Sequence, residues 1–389
     1  MNVARPTSLP LASLTSAEAA DSAMRCSYSA AGPLPRGRGA EIVASSRFHG
    51  TLPSSRIMKT GKLDPDALRR LVLGRLGVRR DDVVVHAGLG EDAAAVLFGD
   101  EVCVLSSDPI TGAGAEAGWY GVHVACNDVA AMGARPVGVL STLLFPESAA
   151  ESDVQRVVED VHRAALELSI EVLGGHTEVA AGLTAPIVTM TAVGRVRRER
   201  LVSSAGAKPG DALVLTKAAA LEGTAILATD LEERLRGRLD PATIARARAL
   251  SARLSVVPEG VLAAELGATA LHDPTEGGVL GALWEVAEAS GRGYEVVAED
   301  VPVLEETRQV CAVFGADPLR LISSGALLIA CPDPTSMIAG LDERGIPATR
   351  IGRVTERERV LLDGGERRVV GPVVRDELWR ILGDFRREA

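Results

Sequence analysis

The chain has 389 residues, 47% of them hydrophobic, and a formal net charge of −10. That length exceeds the ~100–150 residues of a usual single domain and points to two. The acidic balance disfavours nucleic-acid binding, and no run reaches the roughly 18 apolar residues of a membrane helix. Five cysteines without a C-x-x-C pair or a His cluster exclude a structural zinc site or disulfide framework and fit reduced thiols in a cytoplasmic protein.

Residues 1–57 hold six arginines against three acids and are rich in Ser, Ala and Pro without any sustained period. They read as a disordered extension or a transit-like segment, or as sequence upstream of a true start at Met58, which is the preferred reading. Asp64-Pro65 then offers an N-cap and a first helical proline for a helix carrying Leu68, Leu71, Val72, Arg75 and Leu76, closed by Gly77. Val-rich strands follow at 83–86, 93–98 and 101–107. A helix over Ala117–Met132 stops at Gly133, a strand covers 137–145, and a helix over Ala149–Leu168 buries Val154, Val157, Val158, Val161, Ala165 and Leu168. Strands at 170–173, running into GGHTE, and at 185–196 complete the first half. Lys208-Pro209-Gly210-Asp211 marks a joint and a new strand, so the expected domains are 58–205 and 206–389. The second half shows helices at 224–229, 241–254, 257–266, 279–289 and 334–343, and strands at 294–298, 325–330 and 348–354. Alternating elements of both kinds make the class α/β.

Four stretches of the first half set acids beside glycines or at strand ends: GLGEDAAAV, SSDPIT, CNDVAAMGARP and GGHTE. Singly, each is explained by Asp and Asn in turns and caps. Together they are a candidate site, above all because Asn127-Asp128 interrupts an apolar helix, where a carboxylate is costly without partners. Asp92, Asp108, Asp128 and Glu178 are the oxygen ligands Mg²⁺ prefers, and Gly88, Gly90, Gly174 and Gly175 let backbone approach a phosphate. Neither a P-loop nor a dinucleotide fingerprint is present. In the second half, HDPTEGG (His272 to Gly278) precedes the helical VLGALWEVAEAS, with more acids than one cap needs.

These motifs, followed in order by GDALVLTK, EGTAIL, HDPTEGG and SSGALLIA, resemble the aminoimidazole ribonucleotide synthetase superfamily, and within it the hydrogenase maturation factors, or carbamoyl dehydratases, and the synthetase-related proteins beside them. The resemblance runs from Met58 onward. It implies an N-terminal α/β domain that forms a homodimer through a shared β-barrel and a C-terminal α/β domain, with ATP and Mg²⁺ between them. It further implies metal or triphosphate roles for Asp92, Asp108, Asp128 and Glu178, and cofactor contacts from Lys62, Gly90, Glu91, Asn127, Gly174, Gly175 and Thr177. Lys62 is otherwise a solvated charge. The maturation factors carry a cysteine at the end of a C-terminal tail, whereas this sequence ends DELWRILGDFRREA.

The expected activity is ATP-dependent phosphorylation of an amide or carbonyl oxygen, on a small-molecule or protein-borne acceptor, preceding dehydration or ring closure. Asp273 or His176 handles the acceptor's proton; His176 is equally readable as a structural histidine, and His272 as structural or supporting. Asp273 and Glu276 are expected to face phosphate or acceptor from the second domain. The competing readings are a nucleotide-binding maturation scaffold without turnover, a kinase of the thiamine-monophosphate type, and a divalent-metal hydrolase.

Overall fold

The computed structural model describes residues 60–110 and 116–388. The expectations for 1–57 and for a start at Met58 lie outside them. The described chain opens on α1 (Pro65–Leu68), where the Asp64 carboxylate accepts from the N–H groups of Asp66 and Ala67 and Pro65 takes the first helical position. A continuous helix to Leu76 does not form. A π turn over Arg69–Leu73 follows and ends at Gly74, and its wider winding rotates Leu71 and Val72 off the helical period, leaving both exposed, as is Leu76.

The first sheet consists of β1 (Val83–Val85), β2 (Ala94–Phe98), β3 (Glu101–Ile110), β4 (Arg135–Phe145), β5 (Glu171–Val179) and β6 (Ile187–Arg197). Its order is β1-β2-β3-β6-β4-β5, antiparallel except where β4 meets β5. Two helices pack with it, α2 (Ala117–Ala130) and α3 (Glu151–Leu168). From Gly118 to Ala130 every residue of α2 is buried, which accounts for its nearly uninterrupted apolar sequence. On α3, Val157, Val161 and Ala165 are buried as expected and Ala164 joins them, Val154 and Leu168 are partly buried, and Val158 faces solvent.

The second half contributes β7 (Ala212–Thr216), α4 (Leu221–Asp230), α5 (Glu232–Leu235), α6 (Pro241–Arg248), α7 (Val257–Glu265), β8 (Ala270–His272), α8 (Gly278–Ser290), β9 (Gly293–Val297), α9 (Glu305–Phe314), β10 (Leu328–Cys331), α10 (Pro334–Asp342), β11 (Ala348–Thr355), β12 (Arg359–Asp363), β13 (Glu366–Val369) and α11 (Glu377–Glu388). Its sheet runs β13-β12-β9-β11-β7-β10-β8. Asp240 and Asp333 cap α6 and α10 with proline following, as Asp64 does α1.

One apolar cluster joins Val104, Val122 and Met190 of the first half to Ile226, Leu254 and Leu321 of the second. Around the second sheet, α8 packs on Leu213, Leu215 and Leu328, while Val214, Leu271 and Ile329 pack with residues of α7 and α10. The architecture is α/β with two sheets, and the described residues of one chain close no barrel. Among the described residues no helix is long and apolar enough to cross a membrane, and Cys103, Cys126, Cys311 and Cys331 are free thiols.

Candidate functional site

Three local structures bring acids into one cleft of about 310 Å³, and a fourth sets a buried acid against them. Asp92 lies on the glycine turn leading into β2, Asp108 near the end of β3, Asp128 on α2, and Asp273 directly after β8. Lys62 reaches the same cleft from the segment before α1, with Thr275, Glu276 and Glu285 opposite.

The glycine turn is held by a close approach. Gly90 has φ +77°, and a Cβ there would lie 2.2 Å from the backbone oxygen of Glu285 on α8. Only glycine lets this turn rest on that helix and present Asp92 inward. Asp92 Oδ1 then lies 2.6 Å from His272 Nδ1, and His272 Nε2 is 3.0 Å from Glu285 Oε2. Burial works against a charged imidazole, but the two carboxylates outweigh it and hold His272 well above its ordinary pKa. Glu285, although burial pushes the other way, is drawn down to about 2 by Lys62 and His272.

Lys62 Nζ donates to Thr275 Oγ1 at 3.1 Å and pairs with Glu285 Oε1 at 3.4 Å, and its backbone N–H donates to Glu276 Oε2 at 2.8 Å. On the facing wall, Ser106 Oγ lies 3.0 Å from Asp108 Oδ2 and 2.5 Å from Asp128 Oδ2, with a single proton for both. Asp128 faces the fully buried Asp273. Burial, then Asp273 and Asp108, push Asp128 well above the carboxylate range, while burial and Asp92 bring Asp273 up to about 7. Neither Asp273 oxygen has a hydrogen-bond partner, because two carboxylates can bond only through a shared proton or cation. Burial likewise brings Glu91 up to about 7.

Carboxyls crowded in this way repel one another once charged unless a proton or a cation is shared between them. No three His, Cys, Asp or Glu side chains among the described residues gather at metal-ligand spacing, so protein groups alone do not cage an ion. The arrangement suits Mg²⁺, which takes one or two carboxylates and completes its shell with water and phosphate oxygens. Asp128, with Asp92 and Asp108 beside it in the cleft, fits that role.

A carboxyl whose folded pKa is raised to about 7 contributes stability below pH ~4 that is lost as pH rises through ~7. Scanning calorimetry without divalent ions is therefore expected to show a decline in Tm from this group between pH 5 and 8, a decline that Asp273→Asn reduces and added Mg²⁺ offsets. An identical slope in wild type and Asp273→Asn would contradict the placement of Asp273.

The other sequence-derived candidates lie elsewhere. Asn127 is wholly buried and committed to backbone: its Nδ2 donates to the Leu254 oxygen and its Oδ1 accepts from the Val256 N–H, both at 2.8 Å. It braces α2 against the second half instead of facing a ligand. Gly174, Gly175, His176, Thr177 and Glu178 lie on β5, exposed along its length. Three strand spacings, roughly 14 Å, separate β5 from β3, so Glu178 does not join Asp108 within one chain. Gly175 approaches the Ser141 backbone of β4, where a Cβ would lie 1.8 Å from the Ser141 oxygen. His176 Nε2 and Glu178 Oε2 lie 2.9 Å apart at the surface.

Sequence reasoning missed Glu285, Glu222, Ser324, Trp379 and Asp376. Asp376 resolves the surplus of acids in HDPTEGG: its Oδ2 accepts from the Gly277 N–H at 2.6 Å at the head of α8. Asp273 is thereby left free of the cap and lies against Asp128.

Residues 90–196 match the N-terminal domain, and residues 208–363 the C-terminal domain, described for AIR synthase related proteins, together more than half of the chain. The chain belongs to the AIR synthase related protein family. Among its relatives is the carbamoyl dehydratase HypE of Cupriavidus necator, 32% identical over 276 residues, spanning 68% of this chain and 75% of the relative. The AIR synthase related fold is also seen in a solved HypE–HypF complex, at a TM-score of 0.65 and 21% identity over 79% of this chain and 99% of that one. A hydrogenase maturation protein HypE solved with ATP gives 0.59 and 22%, over 83% and 98%.

Proposed function

We propose that this protein is an ATP- and Mg²⁺-dependent enzyme that phosphorylates an amide or carbonyl oxygen, which then departs as phosphate in a dehydration or ring closure. One observation carries the reading: Asp92, Asp108 and Asp128 share a cleft with Lys62, and the buried Asp273 lies against Asp128. Four acids facing one lysine are poorly arranged for binding a bare triphosphate, and well arranged for one that arrives with a divalent ion. When bound, that ion supplies charge neutralisation for phosphoryl transfer. The chain's own groups divide the remaining work. Lys62 would face the phosphates, His272, held between Asp92 and Glu285, would orient the Asp92 carboxylate, and Asp273, against Asp128, would take the acceptor's proton.

The naming of relatives as carbamoyl dehydratases and the HypE structure with ATP support this reading, and the HypE–HypF complex supports a protein-borne acceptor or protein partner. A homodimer is part of the proposal. The outer strand β5 is exposed throughout, and Leu140, Val172, Leu173 and Val179 leave an apolar patch there, an edge that a second copy would cover while completing a barrel. Gly174 to Glu178 would then act across that interface. The free thiols suit the cytoplasm.

The test is ADP release by purified protein with ATP, Mg²⁺ and a panel of amides, expected to depend on the amide. Tight ATP binding with no turnover on any of them would favour a nucleotide-binding maturation scaffold, and cleavage of a phosphorylated compound without ATP would favour a metal hydrolase.

A further inference from the structure

Asp376 caps α8 and Asp273 lies against Asp128, which leaves Glu276 as the surplus acid of HDPTEGG. It lines the same cleft as Asp92, Asp108 and Asp128. A further carboxylate there repels an incoming triphosphate, so charge alone argues against it. Its side chain is nonetheless engaged: Glu276 Oε2 accepts from the backbone N–H of Lys62 at 2.8 Å.

That bond secures a segment with little else to fix it. Thr60 to Leu63 lie outside any helix or strand, and among the described residues no backbone–backbone hydrogen bond ties them to the rest of the chain. The Lys62 ammonium reaches Thr275 Oγ1 at 3.1 Å and Glu285 Oε1 at 3.4 Å, but a phosphate that engages the ammonium draws it away from these two partners. The main-chain bond to Glu276 survives that exchange. Gly61 fits the same arrangement. At φ +107° it lies so close to the second half that a Cβ would stand 2.9 Å from Trp379 Cδ1 and 3.2 Å from Glu276 Oε2.

We propose that Glu276 is a positioning residue for Lys62: its carboxylate holds the lysine's main chain, so that the ammonium meets phosphate at a fixed place while its side-chain partners are exchanged. This rests on the phosphoryl-transfer reading above.

The test is calorimetric titration of the full chain with Mg²⁺ and a non-hydrolysable ATP analogue, together with hydrogen–deuterium exchange over residues 60–68 of the ligand-free protein. Glu276→Ala is expected to weaken the analogue about tenfold or more and to speed exchange of that segment. A carboxylate acting only through its charge would give the opposite sign, tighter binding on its removal. Glu276→Gln keeps an oxygen that accepts from the Lys62 N–H and should bind at least as well as wild type, because the repulsion is gone and the hold remains. In a Lys62→Ala background, Glu276→Ala should cause no further weakening. Binding by Glu276→Ala as tight as wild type or tighter would overturn the proposal, as would unchanged exchange or losses that add in the double variant. So would a Glu276→Gln variant that loses as much as Glu276→Ala, since the charge itself would then be serving the metal ion. Failure of the wild type to bind the analogue at all would overturn the phosphoryl-transfer reading instead, and the exchange measurement, which needs no nucleotide, would still judge the hold on Lys62.

Discussion

Asp128→Asn is expected to lower Mg²⁺-dependent ATP affinity by about 10²–10³-fold, while the ligand-free protein becomes no less stable. The loss corresponds to removing one buried charge from a site built to hold a cation against phosphate, about 3–4 kcal/mol. The unchanged or improved stability follows from the wild-type electrostatics. Asp128 is buried against Asp273 and Asp108, and burial and these neighbours together push its pKa well up, so neutral Asn relieves repulsion while its side-chain oxygen can still accept from Ser106. The expected rise in Tm is about 2–4 °C per kcal/mol of repulsion relieved. Calorimetric titration of ATP with and without Mg²⁺, alongside thermal melts of the same preparations, checks both parts. Equal Mg²⁺–ATP affinity in mutant and wild type would remove Asp128 from the site. A large fall in Tm would show that its role is to hold α2 in place.

Gly90→Ala should destabilise the protein by about 2–4 kcal/mol and lower Tm by about 5–10 °C. Two costs combine. The residue sits at φ +77°, which a side chain disfavours by roughly 1 kcal/mol, and the new methyl would lie 2.2 Å from the Glu285 oxygen and 2.7 Å from its carbon. Backbone within α8 cannot yield as a side-chain tip would, because Leu283 and Val286 beside Glu285 are core residues. The glycine turn must therefore retreat, taking Glu91 and Asp92 with it and breaking the contact of Asp92 with His272. Nucleotide affinity is expected to fall together with Tm, unlike the pattern for Asp128→Asn. A melt within about 1 °C of wild type would mean the turn does not press on α8.

The part of the site legible in the sequence was legible for an energetic reason. Asp128 was conspicuous as a carboxylate inside the apolar run of α2, and Asp273 as an acid beyond what a helix cap requires. Glu222 carries the same mark as Asp128, an acid among Leu221, Ala225 and Ile226, and could have been found by the same criterion. Glu285 could not, since a glutamate on an amphipathic helix ordinarily faces water; it is drawn inward by His272 and Lys62 from distant parts of the chain. The glycines of GGHTE looked like a phosphate cradle, and of the two Gly175 passes so close to the Ser141 backbone of β4 that no side chain fits there.

Elements set by neighbouring residues were within the sequence's reach: the Asp-Pro starts at Asp64, Asp240 and Asp333, the buried helix α2, and the alternation of strands and helices that makes the class α/β. Caps and periodicity act over a few residues, so their physics is written locally. The short β8, the charged hairpin of β12 and β13, and α11 form because of what they pack or pair against, and escaped. The sequence could nominate acids, but only the tertiary structure decided which of them meet. Whether Asp92 faces His272, whether Asp128 faces Asp273, and whether Glu178 reaches either depend on strand order and interlayer packing, which bring distant residues together or hold near ones apart.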